Sequence, residues 1–257
     1  MSQTPKIQLI DVHKSFGAKT VLDGITVDIA PSESFVIIGG SGTGKSVTLK
    51  CILGLMRPEQ GRILVDGLDV VGMRPREREE VLRKFGMLFQ GAALFDSLKV
   101  WENVAFGLIQ GHKMERRKAK DKAVEKLYAV GLGADVGELY PAELSGGMQK
   151  RVGLARAIAT EPEIIFFDEP TTGLDPIMAD VINDLIVKCV KELGATAVSI
   201  THDMHSARKI SDRMAMLHRG RLVWVGRTAE VDQSDNPFVD QFIHGRAEGP
   251  IKMELRR

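Results

Sequence analysis

Eight residues, Gly39-Gly40-Ser41-Gly42-Thr43-Gly44-Lys45-Ser46, constrain this chain more than any other segment. They fit the pattern G-x-x-x-x-G-K-[ST] at every fixed position. An apolar run at 35–38 precedes them and a helix-like stretch at 47–55, opening on Val47, follows. Strand, loop and helix in that order are what a phosphate cradle needs. Glycines let backbone N–H groups turn inward on a polyphosphate, and the helix behind them points its positive end at the same place. Lys45 would neutralise the β- and γ-phosphates, and the Ser46 hydroxyl would ligate Mg²⁺. The loop predicts a nucleoside triphosphate site and says nothing of what hydrolysis drives.

The rest of the chain is patterned to surround such a loop. Residues 7–12 and 25–29 alternate apolar with polar, and Asp66-Gly67 follows Leu64-Val65 as a hairpin turn, which predicts a small antiparallel sheet. Residues 85–89 read as a strand, and 100–108 and 116–130 as helices, so a helical part is expected as an insertion over about 101–160. From Gly146 onward helix and strand alternate: helices at 149–160, 177–193 and 204–210, strands at 163–167, 196–200, 214–217 and 222–225. That rhythm is the mark of a mostly parallel sheet covered on both faces. The expectation is one α/β P-loop domain over 1–245 with an antiparallel β part and an inserted α part, then a tail at 246–257.

Composition excludes several classes. A formal net charge of +1 gives no global pull toward nucleic acid or anionic lipid. The basic cluster from Lys113 to Lys122 reads either as a nucleic-acid patch or as a solvated helix face, and its interspersed acids and alanines favour the face. No apolar run is long enough to cross a bilayer, and residues 1–6 carry no apolar leader. The only cysteines, Cys51 and Cys189, form no C-x-x-C pair, which points to buried free thiols in a reducing compartment.

Two further runs carry chemistry. Ile164-Ile165-Phe166-Phe167 ends in Asp168-Glu169, so a buried strand would deliver carboxylates to the tip of the sheet, where ligands gather. Asp168 would support Mg²⁺ through its water shell, and Glu169 would polarise the attacking water. Leu144-Ser145-Gly146-Gly147-Met148-Gln149 reads as a second anion-binding helix start, suited to a γ-phosphate presented by another subunit, or as an ordinary serine cap with a glycine entry.

Taken together and in this order, these runs resemble the ATP-binding cassette (ABC) ATPases over nearly the whole chain. Leu144 to Gln149 is similar to the family's signature loop, and Ile164 to Glu169 to its Walker B motif. Gln90 matches the Q-loop, Gly173-Leu174-Asp175 the D-loop and His202 the switch histidine. The resemblance implies two copies facing head to tail around two ATP. It implies that Ser46 and Gln90 approach Mg²⁺, that Ser145, Gly146 and Gly147 serve the partner's γ-phosphate, and that His202 contacts the γ-phosphate beside Glu169. Asp175 would tie the two sites together, and Phe16 would stack on adenine where the family more often has Tyr. Met148 and Val47 depart from commoner Gln and Thr, and neither change removes a phosphate ligand.

Within the family, residues 91–104 and the run from Asp168 to Ile177 are similar to the Mla-type (Mce-associated) phospholipid-transport ATPases. That subgroup implies a homodimer on the cytoplasmic face of a bacterial inner membrane, serving outer-membrane lipid asymmetry. Its partners would be an MlaE-like permease, an MlaD-like MCE-domain lipid-binding protein and an MlaB-like STAS-domain protein, with no nucleic acid. Ala92, Ala93, Leu94 and Phe95 suit a permease-docking surface and equally suit internal packing. Phe238 and Phe242 in the tail suit a clasp on a neighbour or a helix packed on its own core. Another cargo, such as an amino acid or an organic solvent, and a non-transport role on DNA or ribosomes stand as alternatives.

Overall fold

A computed structural model of the chain describes residues 4–252; the start of the expected leaderless N-terminus (1–3) and the end of the expected tail (253–257) lie outside the described residues. The chain divides into two compact units, Met1–Val71 with Ile200–Arg257, and Gly72–Ser199.

The first unit opens with β1 (Ile7–Phe16) and β2 (Lys19–Ile29), paired antiparallel. Both run longer than their apolar alternation. Lys14, Ser15 and Phe16 still pair with Leu22, Thr20 and Lys19, because ladder hydrogen bonds do not require the buried face that period-two patterns detect. That face carries Ile7, Leu9, Val12, Leu22, Ile25 and Ile29, all essentially inaccessible. β3 (Ser34–Ile38), apolar after Ser34, leads through the glycine loop into α1 (Lys45–Ile52). β4 (Gln60–Val65) pairs with the other edge of β1, and β5 (Leu68–Asp69) folds back on it. The turn between them has φ 50° at Asp66 and 79° at Gly67, the two positive angles a type I′ hairpin needs.

The second unit begins with α2 (Pro75–Leu82), a helix the apolar pattern did not predict. Only Val81 is buried on it, and Arg74–Glu77 and Arg83–Glu79 pairs line its exposed side. Then come β6 (Phe85–Leu88), α3 (Val100–Phe106) with a single π turn over Gly107–Gly111, and α4 (Arg116–Ala129). α4 buries Ala119, Ala123 and Leu127 at four-residue spacing. Its cations face acids instead: Arg116 meets Glu102, Lys120 meets Glu138 and Lys122 meets Glu161.

α5 (Gly146–Ile158) starts three residues earlier than its apolar period, because Ser145 caps it. It leads to β7 (Ile164–Asp168), α6 (Pro176–Leu193) and β8 (Thr196–Thr201). β7 runs parallel to β6, with Phe85 opposite Ile164 and Leu88 opposite Phe167. Residues 164–167 are fully buried, each contributing about 1.5–3 kcal/mol by area. α5 crosses so close to β6 that a Cβ on Gly86 would lie 2.2 Å from the Ala157 carbonyl oxygen.

The chain re-enters the first unit with α7 (Met204–Ile210), β9 (Arg213–His218), β10 (Arg221–Arg227) and α8 (Pro237–Ile243). β9 runs parallel to β3 and antiparallel to β10. On α8 it is Val239 that is fully buried; Phe238 and Phe242 are half-buried, with the Phe238 ring 5.0 Å from His218. Both cysteines are buried and free, as expected.

Candidate nucleotide site

In the first unit, the glycine loop joins the buried end of β3 to α1. A Cβ on Gly39, at φ 150°, would sit 2.4 Å from the Leu217 carbonyl oxygen, and one on Gly44, at φ 113°, 2.8 Å from Leu22. No other residue fits the loop's path. Thr48 N–H donates to Gly44 O over 2.8 Å, the first bond of α1, so the amides ahead of it point out of the helix end. No acidic side chain occupies that first turn. Lys45 is only 7 % exposed and bends back to donate to Gly39 O over 2.7 Å and Gly40 O over 2.9 Å. Thr43 Oγ1 donates to Gly40 O, which tightens the same turn. The result is a concave row of donors around one ammonium, matched to an anion of several oxygens. Ser41, Gly42 and Ser46 face outward at its rim. Phe16 is 47 % exposed with Lys14 over its ring, and His202 is exposed just beyond β8.

In the second unit, β7 delivers Asp168 and then Glu169, which takes φ 48° and is 9 % exposed. The Glu169 carboxylate accepts from Thr172 Oγ1 at 3.1 Å. Lys150, from the second turn of α5, donates to the backbone oxygen of Gln90 and, over 3.3 Å, to that of Glu169. Burial pulls the Lys150 ammonium below lysine's usual range, against the attraction of Asp168 and Glu169. Gln90 and Glu169 are therefore joined through a residue that motif reading missed. The Gln90 side chain itself is exposed.

Ser145 Oγ accepts from Met148 N–H at 3.3 Å, so the capping reading of this serine is realised; Ser145 and Gly146 are exposed, and Gly147 packs on Met178. Asp175 likewise caps α6, taking N–H bonds from Ile177 and Met178. The Asp-Pro pair at 175–176 was a legible signal for that cap. The apolar run after Gln90 splits by role: Ala92 is buried, whereas Phe95 is exposed and lies 4.6 Å from the Phe106 ring. Buried Asn103, also missed, exchanges two hydrogen bonds with the Phe95 backbone.

The profile of the ABC transporter family matches residues 22–172. The chain belongs to that family. Among curated ABC proteins it is 43% identical over 247 residues to the probable ribonucleotide transport ATP-binding protein mkl of Mycobacterium leprae, covering 96% of this chain and 71% of that one. It is 37% identical to the intermembrane phospholipid transport system ATP-binding protein MlaF of Haemophilus influenzae, covering 93% and 90%. A solved ABC cassette, a dimer in a post-hydrolysis state bound to ADP and Pi, superposes with a TM-score of 0.79 at 32% identity, covering 86% of this chain and 98% of that one. The protein is thus an ATP-hydrolysing ABC subunit with the P-loop fold of that family: parallel strands, an antiparallel sheet and a helical part. Among the described residues no helix is long and apolar enough to cross a membrane.

Proposed function

We propose that this ABC ATPase energises a membrane permease that moves phospholipid, working as an ATP-bridged homodimer on the cytoplasmic face of the inner membrane. The observation that carries the cargo reading is the match to the MlaF protein over nearly the full length of both chains. The mkl relative is named for another cargo, so the site chemistry is common and the lipid assignment rests on the match that covers more of the relative, 90% against 71%.

Each residue's part follows from its chemistry. Lys45 and the amides of residues 40–47 hold the β- and γ-phosphates, with Lys45 exchanging the carbonyls of Gly39 and Gly40 for phosphate oxygens. Glu169 orients the attacking water and His202 the γ-phosphate. Ser145, Gly146 and Gly147 present a helix start to the partner copy's γ-phosphate, Asp175 borders that contact, and Phe16 stacks on the base.

Ser46, Gln90 and Asp168 would each offer an oxygen donor of the kind Mg²⁺ takes. Among the described residues no group of three or more His, Cys, Asp or Glu makes a cage of its own, which fits an ion held jointly with phosphates and water. When bound, Mg²⁺ neutralises charge on the β- and γ-phosphate oxygens.

Purification of the tagged chain from membranes tests the lipid reading. A permease and an MCE-domain protein in stoichiometric amounts, with ATPase activity raised by phospholipid-loaded MCE protein, are the expected result. A permease arriving without any lipid-binding partner, and activity indifferent to phospholipid, would move the assignment to another cargo.

A further inference from the structure

α5 grips the loop that follows β6 at three successive positions. Lys150 donates to Gln90 O; a Cβ on Gly153 would fall 3.2 Å from the Ala92 Cβ; Arg156 donates to Ala92 O over 2.5 Å and Ala93 O over 2.7 Å. Ala92 and Ala93 sit at φ 58° and 48°, a left-handed backbone that non-glycine residues hold only where surroundings enforce it. Glu169 shares that condition at φ 48°. Its carbonyl accepts from Lys150 and from Thr172 N–H, and its carboxylate from Thr172 Oγ1. One helix therefore enforces two strained segments, and Lys150 is the residue that touches both Gln90 and Glu169.

The choice of side chain fits the task. Lysine has three donors and no acceptor, so one ammonium can serve two carbonyls from distant segments. At 5 % exposure, water is largely excluded from replacing it. Removing it takes a buried donor from the Gln90 carbonyl and loosens the tie to the Glu169 carbonyl, which keeps Thr172 N–H.

We propose that Lys150 is a positioning residue for ATP hydrolysis, setting the backbones of Gln90 and Glu169 at one fixed spacing and tying that spacing to the helix that begins at Ser145. A displacement of the loop after β6 then reaches Glu169 through a single side chain. This rests on the reading of Glu169 as the group that orients water.

The test uses the full chain. Steady-state ATP turnover and equilibrium binding of a fluorescent ATP analogue are measured for Lys150→Met, Lys150→Arg, Lys150→Gln and Glu169→Gln. Lys150→Met is expected to lower kcat by about 10- to 100-fold while the analogue's Kd stays within about threefold, the split that marks lost positioning. Lys150→Arg, which keeps the donors, is expected to recover most of the turnover, and Lys150→Gln to fall between, standing in should Lys150→Met not fold. Turnover of Lys150→Met, or of Lys150→Gln in its place, near the parent's while Glu169→Gln is inactive overturns the proposal. So does Lys150→Arg as slow as Lys150→Met, or a Kd that rises in step with the loss of kcat. Full turnover in Glu169→Gln instead removes the role of Glu169, and the proposal with it.

Discussion

Lys45 and Lys150 are both buried ammonium groups that donate to two backbone carbonyls, yet they hold different things. Lys45 bonds Gly39 and Gly40, residues of its own loop. Lys150 bonds Gln90 and Glu169, which lie 60 and 19 residues away along the chain. The first closes a local turn and offers its ammonium where a phosphate would sit. The second joins the segments that leave the paired strands β6 and β7, beyond the end of their ladder. A charge that folds back on its own loop is poised to bind; one that spans distant segments is poised to hold geometry.

The contrast is sharpest at Lys45. Lys45→Met should cost about 2–5 kcal/mol of nucleotide binding, the range for removing one partner of a buried charged contact. Titration with the fluorescent analogue would show it, and an unchanged Kd would erase the distinction from Lys150. A smaller effect is expected at Arg156. Arg156→Met removes the donors from Ala92 and Ala93 and should destabilise that loop by about 1–3 kcal/mol. Faster amide exchange confined to the loop after β6, with nucleotide affinity unaltered, is the expected signature; protection unchanged there would mean Asn103 and packing hold the loop without help. The smallest effect belongs to Phe16, where loss of stacking in Phe16→Ala should weaken ATP binding by about 0.5–1.5 kcal/mol. Phe16→Tyr keeps the ring face and should bind as the parent does. A Phe16→Ala chain with full affinity would take the base away from this ring.

The same distinction explains what the sequence could and could not disclose. The glycine loop, the strand ending in Asp168-Glu169 and the Ser145 cap are contiguous, so their chemistry is written in one stretch each. Lys150 and Arg156 read as ordinary polar positions of a helix, because their partners become neighbours only when β6, α5 and β7 pack. The left-handed backbone at Ala92, Ala93 and Glu169 was invisible for a related reason: nothing about alanine or glutamate announces a positive φ. α2 was missed because a helix with one buried residue has no apolar stripe to detect. The early part of β2 was missed because residues 19–24 do not alternate apolar with polar, although Leu22 among them is fully buried. Asp175, in contrast, was read for its motif although its Asp-Pro context also spelled out a cap.

The two thiols bear on how these motions can be watched. Burial pushes both Cys51 and Cys189 up to about 11, so at neutral pH almost none of either is the reactive thiolate. Buried as well as protonated, both thiols should react slowly with maleimides, so neither needs replacing. A cysteine introduced at the exposed position 95 would be labelled selectively, placing a fluorophore on the loop that α5 grips while the native sequence elsewhere stays intact.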